Sequence, residues 1–180
     1  MKDINHTRYK SYYDSPLGGI MTASDGEKLT GLWFDGQKYF PETMNQNIRN
    51  TDLPIFEETR QWLDLYFSGK EPAFTPPFSL HSTPFRQSVW EILLTIPYGK
   101  TVTYGEIAAM LAKKKGLLRM SAQAVGGAVG HNPISLIIPC HRVVGTDGSL
   151  TGYAGGLERK RWLLALEKAE LPSLFPSREK

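Results

Sequence analysis

The sequence has little of what several common protein classes need. Its 180 residues include one cysteine, which rules out an internal disulfide and a thiolate zinc site. No apolar run approaches the ~20 residues that cross a bilayer, and the opening MKDINHTRYK lacks the apolar stretch of a signal peptide. We therefore expect a cytoplasmic protein without membrane association.

Sequence patterns for metals and cofactors are also missing. The four histidines show no ligand spacing, and no glycine-rich loop has the P-loop or GxGxxG pattern that binds nucleotide phosphates. The segment GGAVG is too short for a P-loop and lacks its lysine. The sequence therefore predicts no metal and no cofactor.

Charge is unevenly divided along the chain. Residues 1–80 contain 8 Lys and Arg against 11 Asp and Glu, a net charge of −3. Residues 81–180 contain 13 against 7, a net charge of +6, and the two halves sum to +3. A basic second half is typical of a protein that meets a polyanion, although a solvated surface of uneven charge shows the same pattern.

Turn signals divide the chain. In the first fifty residues, short β-prone runs alternate with Ser-Pro, Gly-Gly and Asp-Gly turns. A helix follows, which Asp52 could cap and Gly69 could end. The proline-rich segment GKEPAFTPPFSLHSTP lacks apolar periodicity and predicts a linker. We expect an N-terminal domain over residues 1–77 with its linker at about 70–82, a C-terminal domain over 83–172, and a tail over 173–180.

Helix signals dominate the second half. Ser82 or Thr83 can cap one helix, and TYGE is a capping box that begins another at Thr103. After the basic turn KKKG, Ser121 can cap the short helix AQAVGGAVG. Two short helices joined by a turn outline a helix-turn-helix, although an ordinary antiparallel helix pair, which is the commoner structure, has the same outline. The run ISLII then predicts a buried strand that leads to Cys140.

Cys140 stands in IIPCHRVV, between a proline and a His-Arg pair. Only a thiolate is a strong nucleophile, and a nearby cation or hydrogen-bond donor has to favour that anion. His141 and Arg142 can supply the cation or the donor. Glu167, on the helix predicted in GLERKRWLLALEKAE, could orient the histidine as the third member of a triad. The residues alone leave two alternatives open, a buried inert cysteine and a glutamate at the rim of a charged helix.

The residues around Cys140 resemble the active-site region of the O6-alkylguanine-DNA alkyltransferases, the methylated-DNA–protein-cysteine methyltransferases. The resemblance is carried by NPISLIIPCHRVVGTDGSLTGYAGGLERKRWLLALE, AQAVGGAVGHNP and TPFRQSVWEILLTIPYGKTVTYGEIA, roughly residues 82–169. It implies an α+β fold. A small N-terminal α/β domain would have a ribonuclease H-like sheet plus helix, and a mostly helical C-terminal domain would hold a winged helix-turn-helix-like DNA-binding motif.

The resemblance also implies DNA repair by direct reversal of damage. Members of this family flip an O6-alkylguanine nucleotide out of the duplex, and a cysteine takes the alkyl group in one irreversible step. Each molecule therefore acts once. By resemblance Cys140 is the acceptor, and the partner of this monomeric protein is double-stranded DNA that contains O6-alkylguanine, with O4-alkylthymine as a further candidate.

Other roles carry over by position. His141 is similar to the general base, which takes the thiol proton through a bridging water, and Glu167 to the carboxylate that orients it. Asn132 would brace the active-site turn, Tyr104 would help rotate the nucleotide and donate toward guanine N3, and Arg142 would tie the site to the domain. Negative charge develops on the O6 of a leaving guanine, and backbone amides of a glycine-containing loop can stabilise it. The expected base pocket consists of Val143, Tyr153, Ala154, Gly155 and Gly156.

The short helix around AQAVGGAV is expected in the minor groove, where small residues permit a close approach. The expected DNA contacts are Gln123, Ala124, Gly126, Gly127, Ala128, Lys113, Lys114, Lys115 and Arg119. Gln123 stands where the family commonly has an arginine finger, and Ala154 where several members have serine. The connector KKKGLLRM is longer than in the family members compared, and its cations either contact phosphates or form a solvated turn.

Three rival functions remain at this stage. A non-catalytic protein that flags alkylguanine commonly has tryptophan at the acceptor position, and Cys140 argues against it. A cysteine hydrolase built on the same three side chains would turn over, whereas a transferase would stop after one equivalent. A transcription regulator would need regulatory features that the N-terminal half lacks.

Overall fold

The computed structural model describes residue 7, residues 9–45 and residues 48–170; the predicted tail at 173–180 lies outside this part of the chain. Its strands are β1 (Tyr9–Ser15), β2 (Gly18–Ser24), β3 (Leu29–Phe34), β4 (Arg49–Asn50), β5 (Val102–Thr103) and β6 (Val143–Val144). Its α-helices are α1 (Pro54–Phe67), α2 (Pro84–Leu93), α3 (Tyr104–Lys114), α4 (Ala122–Gly130) and α5 (Leu157–Leu166). Within the described ranges, none of these helices has the length and apolar character needed to cross a membrane.

The β-prone runs of the first half form a small sheet. β1 pairs antiparallel with β2 from Tyr9 opposite Ser24 to Ser15 opposite Gly18, and β2 pairs antiparallel with β3. The short β4 runs parallel to β1, so the strand order is β3-β2-β1-β4. A sheet with one helix followed by a mostly helical half confirms the predicted α+β class.

Helix α1 begins at Pro54 without the predicted cap from Asp52. Its N-cap residue, Leu53, makes no side-chain hydrogen bond. Asp52 Oδ1 instead accepts a hydrogen bond from Arg60 Nη2 at 2.8 Å. Because Pro54 has no N–H, the first turn has one donor fewer to satisfy, and the helix starts without a capping side chain. Gly69, with φ of +84°, follows the end of the helix as predicted.

The segment predicted as a linker runs along the edge of the sheet. The Leu29 N–H donates to the carbonyl of Pro77 at 2.9 Å, and the Ser79 N–H donates to the carbonyl of Leu29 at 2.8 Å. Phe78 between them packs against the main core, which contains buried residues from both halves. This segment is therefore attached to β3 and does not merely connect two bodies.

Capping predictions in the second half are confirmed. The Thr83 hydroxyl accepts a hydrogen bond from the Arg86 N–H at 3.3 Å, and the Ser121 hydroxyl accepts one from the Ala124 N–H at 3.2 Å. Thr103 and Glu106 form the reciprocal capping box, with distances of 3.1 and 2.7 Å. Helices α3 and α4 pack against each other and against α2, beside the parallel pair β5-β6, as in a winged helix-turn-helix.

The strand predicted at ISLII does not form. Ile134 makes one isolated bridge with Leu32, and the chain then turns, so that the Ile138 N–H donates to the carbonyl of Ile134 at 3.0 Å. Asn132 holds this turn, because its Nδ2 donates to the Ile138 carbonyl at 2.7 Å and its Oδ1 accepts the Ile134 N–H at 3.0 Å. A side chain that satisfies two backbone groups competes with a sheet ladder. Cys140 consequently begins a 3₁₀ turn instead of following a strand.

Candidate active site

Cys140 lies at the start of the 3₁₀ turn Cys140–Arg142 and is 4% exposed. Burial raises the pKa of its thiol above the ordinary value, and a hydrogen bond from Asn132 and the charge of Lys160 offset that rise only in part. The resting thiol is therefore neutral at pH 7. The expectation that an adjacent cation favours the anion is wrong for the free protein, since burial outweighs the charge.

His141, which follows Cys140 in the same 3₁₀ turn, and Glu167 form a pair with fully buried side chains. The Nε2 atom of His141 lies 2.7 Å from Oε1 of Glu167. The carboxylate selects the tautomer with its proton on Nε2, which leaves Nδ1 as an acceptor. Among the described residues, nothing hydrogen-bonds to Nδ1. Burial lowers the pKa of His141 in spite of the carboxylate, so the imidazole is neutral and can take up a proton.

Glu167 accepts hydrogen bonds from several directions at the C-cap of α5. Arg142 donates from Nε to Oε2 at 2.9 Å and from Nη2 to Oε1 at 3.0 Å, and the Tyr66 hydroxyl donates to Oε1 at 2.8 Å. The Gly99 N–H donates to Oε2 at 3.1 Å. Burial alone would raise the pKa of Glu167, but the bonds and charges from His141 and Arg142 hold it well below its usual range. The alternative of a rim glutamate is wrong, because these donors allow the ionised carboxylate to be buried.

Arg142 points toward Glu167 and the elements behind it. Its Nη1 also donates to the carbonyl of Ile96 at 2.7 Å, and its guanidinium lies 5.6 Å from the centroid of the Tyr98 ring. The side chain therefore connects the 3₁₀ turn, the end of α5 and the segment after α2.

Lys160 is a buried residue of the site that sequence reasoning missed. It lies on α5 with no exposed surface, and its ammonium donates to three carbonyls, those of Val143, Thr151 (3.2 Å) and Gly152 (3.5 Å). Burial lowers the pKa of Lys160 to about 8, against a rise from the neighbouring Cys140. A signal was present, since Lys160 precedes Leu163 and Leu164 by three and four residues and so shares the apolar face of the helix.

Tyr104 binds the same loop as Lys160. Its hydroxyl donates to the carbonyls of Thr151 at 2.9 Å and Gly152 at 3.1 Å. Burial raises the pKa of Tyr104 to about 12, and Cys140 adds to the rise. The hydroxyl is therefore a protonated donor, and it has to leave these carbonyls before it can donate to a base.

The expected base-pocket residues follow one loop and β6. Tyr153 is buried, and Gly155 leaves no room for a side chain, because a Cβ there would lie 2.7 Å from the Tyr153 ring. The Gly156 N–H donates to the Tyr153 carbonyl at 2.9 Å. Contrary to the prediction, this amide is therefore not available to donate to a bound base. The amides of Ala154 and Gly155 donate to no acceptor in the described part of the chain. Val143 is buried, and its carbonyl accepts from Lys160.

Helix α4 presents a small, smooth surface to solvent. Its exposed residues are Ala122, Gln123, Ala124 and Gly127. Gly126 is half-buried toward the ring of Tyr104. Ala128 is 3% exposed and packs in the core, and its carbonyl accepts a hydrogen bond from Trp90 Nε1 at 2.8 Å. The expectation that Ala128 lies on the exposed face is therefore wrong. Ala128 follows Gln123 by five residues, and at 3.6 residues per turn this spacing places it on the buried side of the helix.

The cations of the connector are exposed and differ in their contacts. Lys114 Nζ lies 3.3 Å from Glu91 Oε2, and Lys115 Nζ lies 5.4 Å from the centroid of the Phe85 ring. Lys113 and Arg119 make no side-chain contact of this kind with any residue that the structure describes.

Both halves of this chain match families of known proteins. Residues 8–80 match the family "6-O-methylguanine DNA methyltransferase, ribonuclease-like domain", and residues 84–169 match "6-O-methylguanine DNA methyltransferase, DNA binding domain". The chain belongs to this methyltransferase family. A relative from Haemophilus influenzae, named methylated-DNA–protein-cysteine methyltransferase, is 44% identical over 161 residues, which cover 89% of this chain and 86% of that protein.

Solved structures in the family have the same fold. The O6-methylguanine methyltransferase of Mycobacterium tuberculosis superposes with a TM-score of 0.76 at 43% identity, over 94% of this chain and 95% of that one. A structure of Mycobacterium tuberculosis OGT in complex with DNA gives a TM-score of 0.77 at 42% identity, over 92% and 96% of the two chains. These matches confirm the resemblance seen in the sequence and the pairing of a ribonuclease-like half with a DNA-binding half.

Proposed function

We propose that this protein repairs O6-alkylguanine in double-stranded DNA by transferring the alkyl group once and irreversibly to Cys140. The observation that carries the proposal is a buried thiol next in sequence to the His141–Glu167 pair, in which His141 Nδ1 has no hydrogen-bond partner among the described residues. The relatives at 44% identity are named for transfer from methylated DNA to a protein cysteine. O4-alkylthymine, which also carries its alkyl group on an exocyclic oxygen, is a second candidate substrate.

The proposed reaction is a single displacement. The thiol of Cys140 gives its proton through a water to Nδ1 of His141, and the sulfur attacks the alkyl carbon. The S–C bond forms as the C–O6 bond breaks, and the electron pair of that bond goes to the purine, which takes up a proton to become guanine. Glu167 stabilises the imidazolium formed on the way. The product thioether has no leaving group, so the chain acts once.

Burial of the site serves selectivity in this scheme. A neutral thiol in an apolar environment is a poor nucleophile toward alkylating agents in solution. When a flipped base enters, Lys160 supplies positive charge for the forming thiolate, and the amides of Ala154 and Gly155 face the charge on O6. The reaction is thus favoured where an alkylguanine fills the pocket.

We place the DNA on the exposed face of α4, with Gln123 beside the flipped nucleotide and Gly127 near the groove floor. Small side chains there allow close approach, and minor-groove binding reads little sequence, which suits a lesion at any guanine. The chain would act as a monomer in the cytoplasm, where a single cysteine stays reduced. In the proposed division near residues 77–83, the second half holds the reacting groups, and Tyr66 from the first half supports Glu167.

The test is the intact mass of the protein after incubation with an excess of duplex containing O6-methylguanine. We expect a gain of one methyl group, located on Cys140, and no second addition. The Cys140→Ala variant should bind the same duplex and gain nothing, and an unmodified duplex serves as the control. An unchanged protein mass with continued release of demethylated DNA would identify a turnover enzyme and contradict the proposal. A parallel O4-methylthymine duplex decides the second substrate.

A further inference from the structure

The connector between α3 and α4 has an exposed tip, formed by Leu117, Leu118 and Arg119, which the transfer chemistry does not use. Leu117 is 50% exposed and Leu118 102%, the largest value among the large apolar side chains that the structure describes. Met110, on the last turns of α3, is 48% exposed. Contiguous exposed apolar side chains rimmed by charges are typical of an interaction surface.

The tip is held in place at both ends. Gly116, with φ of +66°, ends α3 in a Schellman motif, in which the Leu117 N–H donates to the Ala112 carbonyl at 2.8 Å. Met120 packs against the main core, directly before the cap of α4. Only the dipeptide Leu118–Arg119 projects between these two anchors, so its exposure is a property of the fold.

The charge around the tip matches a polyanion. Residues 107–146 contain no Asp or Glu, whereas three lysines and one arginine lie between Lys113 and Arg119. Among the described residues, Lys113 and Arg119 have no ion-pair partner. Glu91 pairs with Lys114, whereas the charges of Lys113 and Arg119 are available to the phosphates of a nucleic acid.

The tip is also close to the face that we assign to DNA. Leu118 precedes Gln123 by five residues. A chain of five residues reaches at most about 18 Å. Because successive base pairs are about 3.4 Å apart, the tip lies within roughly five base pairs of the flipped nucleotide. Gln123 brings no charge to the duplex, so this surface lacks a cation where the helix begins.

We propose that Leu118–Arg119 forms a second DNA contact beside the lesion, which rests on the proposed function because it assumes that α4 lies on DNA. Leu118 packs in the minor groove against sugars and base edges, as apolar side chains do in other minor-groove proteins. Arg119 pairs with an adjacent phosphate. The apolar contact and the ionic contact together supply affinity that Gln123 does not.

The two contacts can be separated by their response to salt. With duplex containing O6-methylguanine and Cys140→Ala chains, which bind without transfer, dissociation constants are measured by fluorescence anisotropy over a range of salt concentrations. Leu118→Ala should weaken binding by about tenfold at every salt concentration, since it removes apolar contact only. Arg119→Ala should weaken binding most at low salt and reduce the slope of log K against log salt by about 1.

Matched controls lie on the first half of the chain. Leu65→Ala removes an exposed leucine from α1, and Arg49→Ala removes an exposed arginine from β4. Both should bind as the unsubstituted chain does. The proposal is overturned if Leu118→Ala binds DNA as tightly as Leu65→Ala. It is also overturned if Leu118→Ala abolishes a self-association seen by sedimentation and leaves DNA binding unchanged, because the tip then contacts protein.

A failure here and a failure of the proposed function give different results. If the chain with Cys140 intact gains no methyl group from the lesion duplex, the repair function is wrong whatever the tip does. If methyl transfer occurs and the substitutions at the tip change neither the affinity nor the salt slope, only the second contact is wrong.

Discussion

At the scale of single residues, the reactivity of Cys140 depends on the balance between burial and one nearby ammonium. Burial raises the pKa of the thiol, and Lys160 lowers it in part. Because burial has brought the pKa of Lys160 itself to about 8, this ammonium loses its proton as the pH rises through that value. The cation that supports the thiolate is therefore present at neutral pH and lost in mild alkali.

Replacement of Lys160 by methionine should make the thiol less acidic. We expect the pH profile for reaction of Cys140 with iodoacetamide to move to higher pH, with a rate about tenfold lower near neutral pH for each unit of pKa gained. The chain has one cysteine, so intact mass reports this site alone. Arg161→Met, on the exposed neighbour, is the matched control, and Lys160→Arg should keep the original profile if it folds. Superimposable profiles for Lys160→Met and the control would refute this role.

The sequence pointed to some residues of the site and not to others for a physical reason. Cys140 and His141 are adjacent in the sequence, and the resemblance to the family pointed to Glu167, which the helix pattern alone left open as a rim residue. Tyr66 lies 101 residues before Glu167, on a helix face that looks like ordinary core. Lys160 looks like one cation in a charged helix until the loop carbonyls that hold it are seen.

At the scale of elements, α4 has two glycines in its interior, which are poor helix formers, and part of its surface is exposed to solvent. Gly126 and Gly127 both lie in its interior, where glycine costs ~0.8–1.0 kcal/mol relative to alanine. A Cβ on Gly127 would meet no atom within 4 Å, and one on Gly126 would touch the Tyr104 ring at an ordinary 3.8 Å. Packing therefore does not require glycine at residue 127, which leaves close approach to a partner as its reason.

Gly127→Ala should stabilise the fold and weaken DNA binding together. The free energy of unfolding in urea should rise by up to ~1 kcal/mol, because alanine is the better helix former. Affinity for the lesion duplex should fall, because the new methyl group holds α4 away from the groove floor. Gly126→Ala is the control that should gain stability and keep affinity, because its new methyl group would lie against the Tyr104 ring and not on the surface, contrary to the expectation from the sequence that Gly126 contacts DNA. Equal affinities for the two variants would remove Gly127 from the DNA face.

Helices that begin with a capping signal were predicted well, and the segment where a side chain competes for the backbone groups was not. The caps at Thr83, Thr103 and Ser121 are set by residues three positions apart, which the sequence displays. The run ISLII has strand-like composition, but Asn132 occupies the backbone groups that a ladder would use. Composition could not reveal this competition, because both outcomes bury the same apolar side chains.

At the scale of the whole molecule, the two halves are joined through the site itself. The Leu32 N–H donates to the Pro133 carbonyl, and the Lys38 N–H donates to the carbonyl of Ala154 in the base-pocket loop, both at 2.9 Å. Tyr66 donates across the same boundary to Glu167. One main core contains buried residues of both halves, so neither half has a complete core alone. Two domains divide the sequence, but the contacts favour one cooperative unit.

Unfolding should therefore be a single transition that Tyr66→Phe shifts as a whole. Loss of the hydroxyl takes one donor from a buried carboxylate, which should lower the free energy of unfolding by about 1.5–3 kcal/mol. Fluorine NMR of fluorotryptophan-labelled protein in urea follows both halves at once, through Trp33, Trp62, Trp90 and Trp162. All four signals should share one midpoint, and Tyr66→Phe should lower it equally for each, whereas Tyr12→Phe at an exposed tyrosine should leave it unchanged. If only Trp33 and Trp62 shift, the halves unfold separately and Tyr66 does not couple them, because a bond that joins two parts of one cooperative unit has to be felt by both.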